Sequence, residues 1–375
     1  MIRPPVVTNW RLRPSAAAVW VICPGMLRMS AGVVFDDADP TVREEGTACH
    51  LAAHNQCIGQ PVAVGTIAPN GVEIDGDMLE ACGLYQSAIA AWPTAAPRYF
   101  ETPTHCADIH PECGGTPDVF AWCPVTRTIY LGDLKYGYRP VHAYANWQLL
   151  CYVSGVMRHF GLQAHDVERV EFMIVQPRAY GRDPVQSAVM PMHEVLQYWE
   201  TLRNAALQAV ALDSVCVTNS ACLDCEGRHQ CPALRSAALR VLDAAHAATP
   251  EALPFAAAEN ELRVLTWARG IVDARISGLE QQVKHGMTNG QRAMHWDLEP
   301  STARLRWRDG VAEQVRAIGK LTGANIEKPS ELITPTQAKK LLGENLVNML
   351  AERPPGALKL VPSDAQKWAR IFGDK

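Results

Sequence analysis

The order of apolar and polar positions divides the first part of the chain into helices and strands. Apolar and small residues recur at helical spacing in four segments, which predicts helices over 41–58, 76–92, 142–160 and 191–211. Runs rich in β-branched and aromatic residues predict strands around 99–101 and over 116–122, 128–135 and 167–177. Strands that follow one another in the chain pair as neighbours, and a helix then connects them to a last strand. This order favours a mixed sheet flanked by helices. The pattern therefore predicts an α/β fold.

The pattern changes after Arg240. Residues 242–260 are rich in alanine and contain two prolines, which is typical of a connection between domains. A long helix is predicted over 258–285, and the alternation over 291–309 indicates a β-hairpin. Two short helices are predicted further on, with Thr334 and Ser363 as N-caps.

These observations predict two domains. Residues 1–240 are expected to form the α/β domain around the mixed sheet. Residues 241–375 are expected to form a smaller, mainly helical region with one hairpin. A chain of 375 residues is long enough for such a division.

Composition narrows the class of protein only a little. The contents of 48% apolar and 20% charged residues are ordinary for a globular protein. No apolar run reaches the roughly 18 residues that span a bilayer, so no membrane partner is expected. Residues 15–23 could be a short signal peptide, but Pro24 follows directly and no small-residue cleavage site is present, which favours a buried helix. The net charge of −4 gives no overall nucleic-acid signature.

Three of the twelve cysteines have the spacing of metal ligands. They form the pattern Cys222-x2-Cys225-x5-Cys231, and disulfide-rich secreted proteins are usually much smaller than this chain. We therefore expect a reducing cytoplasm, four metal-bound thiolates, and the other cysteines as small buried residues. Cys23, which precedes a proline, is the candidate for the fourth ligand.

Alternatives for this cluster remain open on spacing alone. Cys216 and Cys49 are the next candidates for the fourth ligand, and Cys106 with Cys113 is a rival metal-binding pair. Four thiolates suit a [4Fe–4S] cluster and a zinc ion equally well by charge and size.

Charged residues also occur in a segment that otherwise indicates a buried hairpin. Asp118 precedes one strand, and Asp133 and Lys135 end the next. Residues two apart in a strand face the same side, so Asp133 and Lys135 share a face while Leu134 points into the core. An antiparallel hairpin returns Asp118 towards Asp133. Two carboxylates and a lysine on one face can hold Mg²⁺ or Mn²⁺ and act on a phosphoryl group.

The motifs resemble the PD-(D/E)XK nuclease superfamily. The sequence Pro117-Asp118 followed by Asp133-Leu134-Lys135 carries the signature itself. Gln148 and Tyr152, one helical turn apart, resemble the QxxxY motif of RecB-like nucleases. His50 lies where those nucleases carry a metal-binding histidine, and Glu101 is similar to an acidic position common in the group.

The resemblance implies a restriction-endonuclease-like central sheet and a set of site residues. The expected catalytic residues are Glu101, Asp118, Asp133, Lys135, Gln148 and Tyr152. The expected metal ligands are His50, Asp118, Asp133 and the Leu134 carbonyl. Gln148 and Tyr152 are also expected to contact DNA.

The cysteine pattern strengthens the resemblance. One cysteine before the nuclease core and three after it resemble the iron–sulfur staple of certain RecB-like nucleases, including CRISPR-adaptation and AddB-type nucleases. This resemblance favours a [4Fe–4S] cluster held by Cys23, Cys222, Cys225 and Cys231. It covers about residues 18–235, and the sequence looks similar to a phage- and prophage-borne nuclease family.

The function implied is that of a metal-dependent DNA exonuclease that processes ends in phage recombination or repair, in the cytoplasm of a bacterial host cell. Expected partners are single-stranded or duplex DNA ends, with a second copy of the chain or a phage recombination protein as further partners. In the C-terminal region Trp296, Arg304 and Arg306 are candidates for stacking on and clamping DNA. The alternative is an aromatic pair that stabilises the hairpin.

Other functions remain as rival hypotheses. A lone histidine such as His50 is often a satisfied core residue, and His54, one turn further on, could complete a two-histidine metal face. A zinc protease would need glutamate after the first histidine, where the chain has Leu51. A non-catalytic nucleic-acid-binding protein on a nuclease scaffold, and a zinc-stapled interaction protein, are the two remaining alternatives.

Overall fold

The computed structural model describes residues 10–33, 41–179, 181–245, 254–302, 306–308, 310–326, 332, 335–352 and 355–362. The described residues divide into two compact units between Leu279 and Glu280. This division falls inside a long helix. The domain boundary inferred from the sequence at residue 240 stays a prediction.

The helices of the first unit follow the periodic segments of the sequence. Those expected over 41–58, 76–92, 142–160 and 191–211 are confirmed as α3, α4, α5 and α6. In chain order, the α-helices up to the long helix are α1 Ala17–Trp20, α2 Met26–Ser30, α3 Thr41–Cys57, α4 Gly76–Ala90, α5 Trp147–Phe160, α6 Met192–Val210, α7 Pro232–Ala245 and α8 Phe255–Thr288.

A mixed sheet of five strands forms the centre of the first unit. Its order is β1-β4-β5-β6-β7, in which β5 and β6 are parallel and every other neighbouring pair is antiparallel. The strands of this unit are β1 Arg98–Phe100, β2 Thr104–His105, β3 Gly114–Gly115, β4 Val119–Cys123, β5 Thr128–Leu134, β6 Arg169–Val175 and β7 Val185–Pro191. The expected α/β fold with a mixed sheet flanked by helices is therefore confirmed.

Helices cover both faces of this sheet because the buried residues of each strand alternate between two cores. Ile129 and Leu131 of β5 belong to the core formed with α1, α5 and α6. Tyr130 and Leu134 belong to the core formed with α3 and α4. Asp133 is therefore on the face of β5 that carries Ile129 and Leu131, and this is the face that α5 covers.

Close packing at the middle of the sheet requires a glycine. Gly132 pairs with Val119 on one side and Met173 on the other. A Cβ atom at position 132 would lie 2.7 Å from Val119 Cγ1 and 3.0 Å from Met173 Cε. Because Gly132 lets the neighbouring side chains close over the strand, β5 reaches Asp133 and Lys135 with its pairing intact.

The start of α5 is fixed by its cap. The side chain of Asn146 accepts hydrogen bonds from the backbone N–H groups of Gln148 and Leu149, at 3.0 and 3.2 Å. Gly161 ends the helix in the left-handed conformation, with φ 68°. These caps fix the register of the helix that carries Gln148 and Tyr152.

The second unit contains small sheets and short helices. Its elements after α8 are β8 Trp296–Thr302, β9 Arg306–Trp307, α9 Ala312–Thr322, α10 Pro335–Leu342, α11 Glu344–Leu350, β10 Ala351–Glu352 and β11 Pro355–Pro362. The prediction that residues 291–309 form a hairpin is wrong, because β8 pairs with β11 and β9 pairs with β10. The eight-residue β11 offers β8 a longer ladder than the two-residue β9 could.

Two sequence expectations for this unit concern positions outside the described residues. Thr334 and Ser363, the two expected N-caps, both lie there. In the part of the chain that the structure describes, no helix has the length and apolar character needed to cross a bilayer.

Candidate functional site

Three ligand-type side chains converge at one end of the central sheet. His50 comes from α3, Glu101 directly follows β1, and Asp118 directly precedes β4. One ligand atom from each of the three lies within 4.8 Å of the others. His50 Nδ1 and Asp118 Oδ1 are 3.4 Å apart. One nitrogen and two carboxylates at this spacing form a donor set that fits a divalent cation such as Mn²⁺ or Mg²⁺.

Strand pairing brings the two carboxylates together. Phe100 of β1 lies opposite Val119 of β4, so the residues just beyond that pair are also neighbours. The backbone N–H of Glu101 donates to the Asp118 carbonyl at 3.0 Å. Glu101 also has a φ of 42°, in the left-handed region that non-glycine residues rarely adopt. Backbone strain of this kind concentrates at functional sites.

Electrostatics link the three side chains. Burial lowers the pKa of His50, but the charge of Asp118 and its hydrogen bond to His50 outweigh burial and raise this pKa to about 9. Burial and the negative charge of Asp118 together raise the pKa of Glu101 to about 7, although His50 opposes the rise. The negative charge of Asp118 contributes to both shifts, and a cation bound beside it would counter that charge.

Asp118 is held in place by the end of the neighbouring strand. The backbone N–H of Leu134 donates to Asp118 Oδ2 at 2.7 Å, while Oδ1 faces His50. Burial raises the pKa of Asp118, but His50, Lys135 and this N–H more than compensate, so the pKa is lowered and the carboxylate stays ionised.

A second group of polar side chains lies around Asp133. Lys135 Nζ is 2.9 Å from Asp133 Oδ2 and donates to Oδ1 at 3.1 Å. Gln148 links the two, since its Nε2 donates to Asp133 Oδ1 at 2.8 Å and its Oε1 accepts from Lys135 Nζ at 3.1 Å. The side chain of Asp133 is 3% exposed and that of Lys135 is 28% exposed. The network therefore fixes an ammonium group that is still reached by solvent.

Tyr152 contacts protein backbone. The residue is buried, and its hydroxyl donates to the carbonyl of Thr116 at 3.2 Å. Thr116 lies two residues before Asp118, so this hydrogen bond supports the segment that carries the carboxylate. The expectation that Gln148 and Tyr152 contact DNA stays a prediction.

The structure thus groups the sequence-derived site residues in two sets. Asp133 lies with Lys135 and Gln148. Glu101, rather than Asp133, lies beside His50 and Asp118 in the compact ligand group. Asp133 and the Leu134 carbonyl stay predictions as metal ligands. An open cleft of about 440 Å³ leads to the site, and its lining includes Arg43, Thr47, His50, Glu101, Asp118 and Lys135.

The DNA-contacting residues expected in the C-terminal region are less defined. Trp296 begins β8 and is partly exposed, opposite Pro362 of β11. Arg304 and the side chain of Arg306 lie outside what the structure describes. The role of these residues stays a prediction.

The four cysteines line one cavity elsewhere in the first unit. Cys23 follows α1, and Cys222, Cys225 and Cys231 lie in and around the 3-10 helices Ser220–Asp224 and Glu226–His229. Each of the four cysteines is 8% exposed. The spacing of Cys222, Cys225 and Cys231 and the resemblance that adds Cys23 together predict this grouping, although about 200 positions separate Cys23 from the other three.

Backbone N–H groups point at the sulfur atoms of this cavity. The Val217 N–H donates to Cys23 Sγ at 3.4 Å. The Asn219 N–H donates to Cys222 Sγ at 3.3 Å. The Leu234 N–H donates to Cys231 Sγ at 3.5 Å.

The fourth sulfur has the same kind of donor, because the N–H of Gly227 hydrogen-bonds Cys225. Burial raises the pKa of Cys225 to about 11 and also raises that of Cys222. Such donors stabilise thiolate ligands, so the donor set fits an iron–sulfur cluster or a zinc ion.

Other cysteines differ in their surroundings. Cys216 lies beside the cluster, where its thiol hydrogen-bonds Cys231. Cys49 instead contacts Cys82, whose Sγ is 3.7 Å from the Cys49 carbonyl. Cys106 and Cys113 are buried in the core with α5 and are joined by a backbone hydrogen bond of 2.9 Å. The twelve cysteines all lie within the described residues, and none of them is in a disulfide bond.

The fold and the site together define an α/β protein with a mixed five-stranded sheet and a His/Glu/Asp group that could hold a metal ion. The family described as "Protein of unknown function (DUF2800)" matches residues 10–367, and the chain belongs to this family. Comparison with the curated proteins gives no match.

Proposed function

We propose that the protein is a metal-dependent deoxyribonuclease that hydrolyses phosphodiester bonds at DNA ends. The observation that carries this proposal is the position of the Asp133–Lys135–Gln148 network next to the His50–Glu101–Asp118 group, with Leu134 joining the two sets. The motif resemblance to RecB-like nucleases supports the same conclusion. Phage recombination or repair in a bacterial cytoplasm is the setting that this resemblance favours.

Each side chain has a role that follows from its contacts. His50, Glu101 and Asp118 would hold a Mn²⁺ or Mg²⁺ ion, with Asp133 and the Leu134 carbonyl as further ligands from the adjoining strand. The bound cation would supply a water molecule of lowered pKa and neutralise charge on a phosphate oxygen.

Lys135 would stabilise negative charge that develops on the phosphate. Its ammonium carries three N–H donors, and Asp133 and Gln148 hold it at the edge of the open cleft. A preorganised donor of this kind lowers the barrier because it needs no rearrangement during the reaction. Gln148 orients Lys135 and Asp133, and Tyr152 supports the segment that leads to Asp118.

We further propose that Cys23, Cys222, Cys225 and Cys231 hold a [4Fe–4S] cluster, with zinc as the alternative. Such a cluster would close a loop of about 200 residues that contains the whole sheet. By the loop-entropy relation for disulfides, a cross-link over this length is worth about 5 kcal/mol. The expected role is structural, because the cysteines line a cavity separate from the cleft.

The test is a cleavage assay with 5′- and 3′-end-labelled single-stranded and duplex DNA. Purified full-length protein is incubated with Mn²⁺, with Mg²⁺ or with EDTA, and the products are resolved on a sequencing gel. The proposal predicts metal-dependent shortening of labelled strands that Asp118→Asn abolishes. A protein that binds Mn²⁺ and cleaves none of these substrates would contradict it.

A further inference from the structure

A second, smaller cavity adjoins the His50–Glu101–Asp118 group. It is about 10 Å³ in volume, close to the space that one water molecule needs. Its lining comprises His50, Ala53, His54, Tyr85, Phe100, Glu101, Asp118 and Leu134. The site residues therefore face an open cleft on one side and this cavity on the other.

Two of the lining residues each carry a buried polar atom that makes no hydrogen bond within the described residues. Tyr85 belongs to α4, is 2% exposed, and its hydroxyl is one of these atoms. The other is the Nδ1 atom of His54, on α3. Buried polar atoms in proteins almost always have a partner, so two such residues around one cavity indicate a bound group.

The rest of the lining limits what that group is. Ala53, Phe100 and Leu134 offer no side-chain hydrogen bonds, and the volume excludes anything much larger than water. The Tyr85 phenol carries its proton at neutral pH and is a hydrogen-bond donor. His54 Nδ1 accepts a hydrogen bond when the ring proton is on Nε2.

We propose that Tyr85 and His54 hold one water molecule in this cavity, and that this water is a ligand of the cation bound by His50, Glu101 and Asp118. The inference rests on the metal site of the proposed function. The Tyr85 hydroxyl donates to the water, and the water donates to His54 Nδ1. Mg²⁺ and Mn²⁺ commonly retain waters when protein binds them.

The consequence is a metal site with two distinct sides. The water occupies the inner side, where two protein groups orient it, and the open cleft leaves the outer side to a phosphate oxygen. Tyr85 and His54 are thus positioning residues, because they act on the cation through the water. Residues in this position typically change metal affinity 10–100-fold when they are replaced.

The experiment measures Mn²⁺ binding to the full-length protein by titration calorimetry and by the EPR signal of free Mn²⁺. Tyr85→Phe removes only the hydroxyl and is expected to weaken Mn²⁺ binding about tenfold. Tyr130→Phe is the matched control, because Tyr130 packs in the same core and does not line the cavity. Its Mn²⁺ affinity is expected to equal that of the wild type.

A second pair of variants tests the histidine. His54→Leu is expected to weaken Mn²⁺ binding to a similar degree, and His54→Asn to restore most of the affinity, because the Asn Oδ1 can accept where Nδ1 did. The Tyr85→Phe/His54→Leu double variant should lose little more than either single variant, since both groups bind one water. Melting temperatures in EDTA show that each variant is folded.

Two contrary results are distinguishable. Wild-type affinity in folded Tyr85→Phe and His54→Leu would overturn the water site and leave the proposed nuclease function standing. Failure of the wild-type protein to bind Mn²⁺ would overturn the metal centre itself, and the proposed function and this inference with it.

Discussion

Replacing Glu101 by glutamine is expected to stabilise the metal-free protein. Glu101 directly follows the edge strand β1 and has a strained backbone conformation, and its N–H donates to the Asp118 carbonyl. Burial and the charge of Asp118 raise its pKa from 4.5 to about 7, although His50 opposes the rise. The ionised carboxylate therefore costs folding free energy, and the Glu101→Gln variant avoids this cost.

The size of the effect follows from the two pKa values. An unfolded glutamate ionises near 4.5 and the folded one near 7, so folded protein loses stability as pH rises through this interval. At 1.36 kcal/mol per pH unit, the loss is about 3 kcal/mol above pH 7. Glu101→Gln should therefore be about 3 kcal/mol more stable than wild type at pH 8, and within about 1 kcal/mol of it at pH 5.

The assay is urea unfolding in EDTA at both pH values, followed by circular dichroism. Glu168→Gln is the matched control, because the Glu168 side chain is 61% exposed and its replacement should change little at either pH. Saturating Mn²⁺ should stabilise the wild-type protein much more than Glu101→Gln, because the variant has lost an anionic ligand. Equal unfolding free energies of wild type and Glu101→Gln at pH 8 in EDTA would show that the ionised Glu101 carboxylate does not destabilise the folded protein.

Three further predictions concern other parts of the structure. Gln148→Ala should lower the free energy of unfolding, measured by urea denaturation, by about 1.5–3 kcal/mol and should reduce cleavage. The reason is that the substitution removes a charge-assisted hydrogen bond to the buried Asp133. An unchanged free energy of unfolding would contradict the network. Cys23→Ala should lose iron, visible absorbance and protease resistance, as measured by metal analysis, absorbance spectroscopy and limited proteolysis. The control Cys216→Ala, which replaces a neighbouring cysteine, should keep all three properties. The reverse pattern would make Cys216 the ligand. Tyr152→Phe should lower the free energy of unfolding by about 1 kcal/mol, because it loses the hydrogen bond to Thr116. The variant should retain measurable cleavage in the end-labelled assay. Complete loss of cleavage would assign the Tyr152 hydroxyl a direct role.

Much of the central fold could be predicted because the relevant signals are local. Helices α3 to α6 follow from apolar periodicity, and the β4–β5 hairpin follows from two apolar runs joined by a short turn. The sequence does not predict the edge strand β7, since only one of its seven residues is fully buried and it contains no long apolar run. The hairpin expected over 291–309 was wrong because β8 finds its partner in β11, about 60 residues further on, and long-range pairing leaves no local signal.

The candidate site was predictable to the extent that it depends on spacing along one element. Asp133 and Lys135 share a strand face, and Gln148 meets them from the first turn of α5. The proximity of Glu101 to Asp118 depends on the register between β1 and β4, which the sequence does not show.

The cavity behind the site was harder to foresee. It depends on the packing of α3 against α4, which places His54 and Tyr85 on the same small volume. No motif marks such a contact, because the sequence singles out His54 only for its spacing from His50 and does not single out Tyr85.

If the two groups of side chains form one nuclease centre, Lys135→Met should separate cation binding from cleavage. The substitution keeps the apolar stem of the side chain, removes the ammonium and leaves His50, Glu101 and Asp118 in place. Lys135→Met is expected to bind Mn²⁺ within a few-fold of the wild-type affinity and to cleave end-labelled DNA at least about 100-fold more slowly than the wild type. Wild-type cleavage by Lys135→Met, or Mn²⁺ binding by the wild-type protein without any cleavage, would contradict a single nuclease centre.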